Sequence, residues 1–163
     1  MESPIKTPEQ LLKYRPLREL VAERTTPVFS VAPTDTVYAA LERMASRNIG
    51  FVVVLEQDAL VGVVSERDYA RKVILQGRAS RETLVRDIMT RDVATVGPDE
   101  TLPQCMALMN SKGVRHLPVV AHGKVIGVLS IRDLLREIVM HHERVIRDLE
   151  LERIAMLSGG STY

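Results

Sequence analysis

From Val28 onward the chain passes twice through one alternation of apolar and polar positions. A short extended segment, Val28-Phe29-Ser30-Val31 and then Val93-Ala94-Thr95-Val96, runs toward a proline, Pro33 or Pro98, that resists continuing a strand. Thr34-Asp35-Thr36 and Asp99-Glu100-Thr101 follow, oxygen-bearing residues able to accept from the free amides of a helix start. Val37, Ala40, Leu41 and Met44 then recur at helical spacing, as do Leu102, Cys105, Met106 and Met109, which predicts one amphipathic helix in each pass. Two short apolar runs come next, Phe51 to Leu55 with Leu60 to Val64, and Leu117 to Val120 with Val125 to Leu129. Their β-branched content predicts strands, with hairpin turns at Gln57-Asp58 and His122-Gly123. A second helix is expected near Ser65 and Ser130, with apolar faces that include Tyr69, Val73 and Ile74, or Leu134, Leu135 and Ile138.

The two passes are a repeat. Val28 to Ile74 aligns with Val93 to Val139 at a constant offset of 65 without a gap, placing Gly62 on Gly127, Ser65 on Ser130, Arg67 on Arg132 and Asp68 on Asp133. The approaches are duplicated too, since Leu17-Arg18-Glu19-Leu20-Val21 resembles Val85-Arg86-Asp87-Ile88-Met89, and both read as short helices. Thr7-Pro8-Glu9-Gln10 carries a cap, a proline at the first helical position and a capping-box Gln, so a helix is expected there. The last helix is expected to run from Arg132 through Arg153, exposing His141, His142 and Glu143; these lack the one-turn spacing of a histidine metal pair. The resulting division is an N-terminal helical segment (1–25), a first unit (26–79), a second unit (80–139, with a lead-in helix at 84–90) and a C-terminal helix and tail (140–163).

Composition narrows the function classes. At 163 residues the chain suffices for one compact domain or two small units that share a core, and 45% hydrophobic with 26% charged residues is ordinary for a soluble protein. No apolar run spans a bilayer, and Met1 to Lys6 lacks the features of a secretory leader, so a cytoplasmic protein without membrane association is expected. The single cysteine, Cys105, suits a reducing compartment and falls on an apolar helix stripe, where it reads as core rather than nucleophile. A net charge of +1 and 4% aromatic residues argue against nucleic acid, and Arg78, Arg81, Arg86 and Arg91 read as a solvated linker.

The candidate chemistry lies in Ser65-Glu66-Arg67-Asp68 and Ser130-Ile131-Arg132-Asp133, both at a strand-to-helix junction. Free amides and the helix dipole favour an anion at such a junction. A carboxylate can accept from both hydroxyls of a ribose, a serine hydroxyl can donate or accept beside it, and an arginine fork fits phosphate. Ser-x-x-Asp is equally a capping box that merely satisfies the first turn. A second basic segment, Lys112-Gly113-Val114-Arg115-His116-Leu117-Pro118, puts Arg115 and His116 ahead of a strand, with Gly113 allowing close backbone approach.

Gly113-Val114-Arg115-His116-Leu117-Pro118-Val119-Val120, Gly127-Val128-Leu129-Ser130 and Arg132-Asp133 resemble a cystathionine β-synthase-type (CBS) domain, and Gly62-Val63-Val64-Ser65-Glu66-Arg67-Asp68 is similar to the same family. The resemblance covers Val28 to Val139. It implies an α/β (α+β) fold of two β-α-β-β-α units packed through their sheets with pseudo-twofold symmetry. It also implies a stand-alone, bacterial-type pair that dimerises and binds an adenine nucleotide (AMP, ADP, ATP or NAD(H)) in two clefts, with no required cofactor. Carried onto matching positions, Asp68 and Asp133 hold ribose, Ser65 and Ser130 assist at ribose or phosphate, Arg115 and His116 face phosphate, and Arg67 and Arg132 add forks. Adenine contacts come from Val93, Gly113 and Val114, and in the other copy from Val28, Ile49 and Gly50. Where the second copy has Arg115-His116-Leu117-Pro118 the first has Gly50-Phe51-Val52-Val53, so one cleft is expected to favour a phosphorylated nucleotide. Phe51 reads as a core residue that would otherwise stack on a base. No phosphate-binding loop, dinucleotide turn or nucleophile-base pair is present, so a regulatory sensor acting on another, unidentified protein is expected rather than an enzyme. The alternative is a ligand-free interaction or scaffold module in which the serines are plain caps.

Overall fold

The computed structural model describes residues 13–23 and 27–158; the helix expected at Thr7 to Gln10 lies outside them. In chain order the elements are α1 (Leu17–Ala22), β1 (Ser30–Val31), α2 (Val37–Arg47), β2 (Phe51–Glu56), β3 (Ala59–Ser65), α3 (Glu66–Lys72), 3-10 turns at Ile74–Gln76 and Val85–Asp87, α4 (Leu102–Lys112), β4 (His116–Ala121), β5 (Lys124–Ser130) and α5 (Ile131–Ser158).

The repeat survives in detail. β1 runs parallel to β2 with Val31 opposite Val54, and β2 pairs antiparallel with β3. In the second unit β4 and β5 form the same hairpin, while the first strand is reduced to a parallel bridge of Val96 with Val119, the repeat mates of Val31 and Val54. Even the bulge is duplicated, between Val54 and Leu55 and between Val119 and Val120. Both hairpins turn on two residues with positive φ, Gln57 (48°) and Asp58 (66°), then His122 (51°) and Gly123 (76°), the primed geometry that matches strand twist. Thr36 caps α2 by accepting from the Ala39 amide, and Thr101 forms a reciprocal capping box with Gln104. The two sheets meet through β3 and β5.

Two hydrophobic cores result. Val31, Val37, Met44, Val52, Val54, Val64 and Val73 fill the first, and Val96, Leu102, Cys105, Met109, Leu117 and Leu129 the second. Burial, with a smaller push from Glu100, drives the Cys105 thiol up to about 11, which suits a packing residue and not a nucleophile.

Packing crosses the order of the chain at the lead-ins. Leu17, with Tyr14, Leu20 and Val21 around it, belongs to the second core, although it precedes the first unit. Val85, Ile88 and Met89 belong to the first core, although sequence order groups 84–90 with the second unit. Thr90 completes this by exchanging both backbone hydrogen bonds with Val63 of β3. The matched glycines mark where the lead-ins press on the hairpins: a Cβ on Gly62 would sit 2.7 Å from Met89 Sδ and 3.1 Å from the Thr90 carbonyl, and one on Gly127 would sit 2.8 Å from Val21 Cγ1. Gly62→Ala is therefore expected to destabilise the fold by about 1–3 kcal/mol through overpacking, read as a lower urea midpoint at unchanged slope.

The C-terminal helix starts one residue before the expected Arg132 and continues to Ser158, about 42 Å at 1.5 Å per residue. His141 is not exposed as expected. It retains only 6% of its surface, with its ring centroid 4.4 Å from that of Tyr14. One turn earlier, Glu137 accepts from Arg15 at 3.1 and 2.8 Å and from Arg144 at 2.8 Å, and the Arg15 bonds hold its carboxyl below the usual range. The burial of this side of α5 was unreadable in sequence because Arg15 comes from a segment 122 residues away. Two residues assigned to apolar faces are half exposed instead, Ile74 at 56% and Leu135 at 51%. Ile74 leaves on a 3-10 turn because α3 ends at Lys72, and Leu135 points away from the side that buries Leu134, Glu137 and His141.

Candidate nucleotide-binding clefts

Both Ser-x-x-Asp segments fold as reciprocal caps. Asp68 Oδ2 accepts from the Ser65 amide at 3.0 Å and from Ser65 Oγ at 2.7 Å, while the Asp68 amide donates back to Ser65 Oγ at 3.3 Å. Asp133 Oδ2 accepts from the Ser130 amide at 2.7 Å and from Ser130 Oγ at 2.5 Å, with the Asp133 amide donating to Ser130 Oγ at 3.2 Å. The capping reading is thus realised, yet each cap also opens onto a cleft.

The larger cleft, about 780 Å³, brings Ser130, Arg132 and Asp133 of the second unit against Val28, Ile49, Gly50 and Phe51 of the first. The smaller, about 540 Å³, brings Ser65, Arg67 and Asp68 of the first unit against Val93, Gly113 and Val114 of the second. Every candidate nucleotide-site residue lines one cleft or the other, and each cleft joins the cap of one copy to the backbone wall of the other. Helix ends shape those walls: α2 closes on Asn48 and α4 on Gly113, repeat mates with left-handed φ of 51° and 62°. Arg67 reaches across to the Gly113 carbonyl at 3.5 Å, a long contact that bridges the copies.

Arg115 and His116 line both clefts, together with Gly50, Phe51 and Glu66. The basic pair therefore does not by itself distinguish one cleft from the other, contrary to the expectation drawn from its presence in a single copy. Phe51 and His116, repeat mates, stack with ring centroids 4.7 Å apart and planes 9° apart, one ring from each copy. Phe51 is half-buried in this partition and not a core residue. Burial lowers the His116 pKa, Asp133 opposes that and Arg115 adds to it, so below its ordinary value the ring is largely neutral at pH 7.

Sequence reasoning missed Lys72 and Thr90, and gave Glu66 and Lys112 no role of their own although both stand in the segments it singled out. Lys72 donates to Asp68 Oδ1 at 2.7 Å and to the Ile88 carbonyl at 2.6 Å, and Thr90 Oγ1 donates to the same Asp68 oxygen at 3.3 Å. The i, i+4 spacing of Asp68 and Lys72 was the one available signal. Burial works to raise the Asp68 pKa, but the hydrogen bonds from Lys72 and Ser65 outweigh it and leave the carboxyl below its ordinary 3.8. The unfolded chain therefore takes up this proton first as pH falls. The stabilisation is complete above about pH 3.8 and is lost as pH drops through the lower folded value. Asp68→Asn is expected to be less stable than the wild type near neutral pH, with the gap closing below about pH 3.8, measured by urea unfolding across that range. The linker arginines bind their own chain: Arg81 lies 3.7 Å over the Tyr38 ring and Arg91 donates to the Arg86 carbonyl.

The CBS-domain family model matches residues 18–74 and 85–140, the two copies that carry these clefts. The chain belongs to the CBS-domain family. Its CBS pair is 42% identical over 132 residues to the mitochondrial CBS domain-containing protein CBSX3 of Arabidopsis thaliana, covering 77% of this chain and 62% of that protein, so the match leaves more than a third of the plant protein unaccounted for. A solved CBS-domain protein from Burkholderia ambifaria superposes with a TM-score of 0.74 at 40% identity, over 77% of this chain and 95% of the other. The CBS domain protein PAE2072 of Pyrobaculum aerophilum, solved in complex with AMP, superposes with a TM-score of 0.66 at 28% identity, over 73% of this chain and 89% of that one. Two CBS units of mixed α and β structure are thereby the architecture of this chain. Among the described residues no helix is long and apolar enough to cross a membrane, and no group of three or more metal-ligating side chains occurs.

Proposed function

We propose that this CBS pair is an adenine-nucleotide-binding regulatory module, acting by binding rather than catalysis on a partner protein in the cytoplasm. One observation carries the reading: each Ser-x-x-Asp cap opens onto a cleft whose opposite wall belongs to the other copy. In this reading Asp68 and Asp133 accept from ribose hydroxyls, Ser65 and Ser130 assist, and Arg115 with His116 meets phosphate. Val93, Gly113 and Val114, or Val28, Ile49 and Gly50, receive the adenine. A ligand held between two copies stabilises one arrangement of them over another, and that difference in affinity is the only source of a signal to a partner. The AMP complex of PAE2072 supports the ligand class.

Calorimetric titration of the full chain with AMP, ADP, ATP and NAD(H) tests this, with at least one binding below millimolar concentration as the expected result. Heats indistinguishable from dilution for all four would overturn it. The competing reading, a ligand-free interaction module, has its own support, because Asp68 already spends both carboxylate oxygens on Ser65, Lys72 and Thr90. Self-association into a homodimer belongs to the same proposal, motivated by exposed Leu135, Val139, Ile146 and Leu149, which fall on one face of α5. Equilibrium sedimentation should return twice the 18.2 kDa chain mass, and a single-chain mass at micromolar concentration would refute the dimer.

A further inference from the structure

The two clefts differ in the charge of their linings. They share Arg115 and Glu66, whose charges cancel. Beyond that pair the larger cleft is lined by one cation and one anion, Arg132 and Asp133. The smaller has four cations, Arg67, Arg71, Lys72 and Lys112, against Asp68 and Asp92. The larger cleft adds apolar side chains in their place, among them Phe29, Ile126 and Ile131. Copy divergence contributes: Lys72 of the first unit is matched by Glu137, which is drawn away to Arg15 and Arg144, and Glu66 is matched by the apolar Ile131 that lines the larger cleft.

We infer that the clefts take different ligands, the smaller a phosphate-bearing adenine nucleotide and the larger an adenosyl ligand without phosphate. The inference rests on the adenosyl reading above and deepens it by assigning a ligand class to each cleft. A phosphate dianion in the smaller cleft meets an excess of positive charge and draws the shared Arg115 toward itself. A second phosphate in the larger cleft then faces Asp133 and Glu66 with Arg132 as the remaining cation, whereas an uncharged nucleoside is indifferent to that balance and gains from the apolar lining. The largely neutral His116 ring at the boundary adds little positive charge to either side.

Titration of the full chain decides it, with AMP and adenosine as probes at low and at roughly 0.3 M salt, where the Debye length falls well below 10 Å. AMP is expected to bind one equivalent per chain with an affinity that weakens at least several-fold on adding salt. Adenosine is expected to bind one further equivalent to the AMP-saturated protein, with an affinity that salt leaves unchanged. Lys112→Ala, an exposed position that does not threaten folding, is expected to weaken AMP about tenfold while the adenosine equivalent persists. Two equal AMP equivalents with the same salt response, or adenosine failing to bind the AMP-saturated protein, would overturn the assignment while leaving the adenosyl reading intact. If neither probe binds, the assignment falls, and if ADP, ATP and NAD(H) are silent as well the adenosyl reading falls with it.

Discussion

Leu17→Ala is expected to lower the stability of the whole chain by about 2–4 kcal/mol, as removal of a buried leucine side chain does where the site cannot collapse. Leu17 has 0% of its surface exposed and sits among Leu102, Cys105, Leu117, Leu129 and Leu134, all from the second unit. It precedes the first unit, so a substitution near the N-terminus is felt in a core more than eighty residues downstream. At roughly 2–4 °C per kcal/mol for a chain of this size, the melting temperature should fall by about 5–15 °C. Exposed Lys13 or Glu23 replaced by alanine should stay within about 0.5 kcal/mol, which separates packing from the mere presence of a lead-in. A Leu17→Ala protein as stable as the wild type would mean that α1 does not close the second core.

AMP at about 100 times its dissociation constant is expected to stabilise the wild-type fold by roughly 2.7 kcal/mol, a rise of about 5–10 °C in melting temperature. In Asp68→Ala that rise should vanish, because the variant removes the carboxylate proposed to accept from the ribose and frees Lys72 from its ion pair. The same variant should melt lower without ligand, by about 1 kcal/mol for the carboxylate's lost hydrogen bonds to Ser65 and Lys72. Thermal melts with and without AMP separate the two effects. A variant that melts lower but keeps the full AMP rise would make Asp68 a cap alone, and the ribose role would have to move elsewhere.

Much of this was readable from the residues. The offset of 65 found both units, Thr36 and Thr101 announced the helix starts, and the dipeptides Gln57-Asp58 and His122-Gly123 marked the hairpins, because caps and turns depend on neighbours a few positions apart. The residues expected to form a site do gather around two clefts for the same reason: a repeat copies local geometry, and the family resemblance named positions within it. Other features were opaque. His141 lies against Tyr14, Glu137 takes Arg15, and Thr90 closes on Asp68, contacts that join segments with no common local pattern.

Short-range chemistry thus determined the elements, their order and their doubling, since hydrophobic period, capping and turn preference act over one or two turns of chain. Which lead-in packs on which unit, which copy's cap faces which copy's wall, and where Arg115 and His116 stand between the clefts were decided only when the two sheets met. Those outcomes depend on burying apolar faces that neither copy can cover alone, and such a requirement is satisfied in space and not along the sequence.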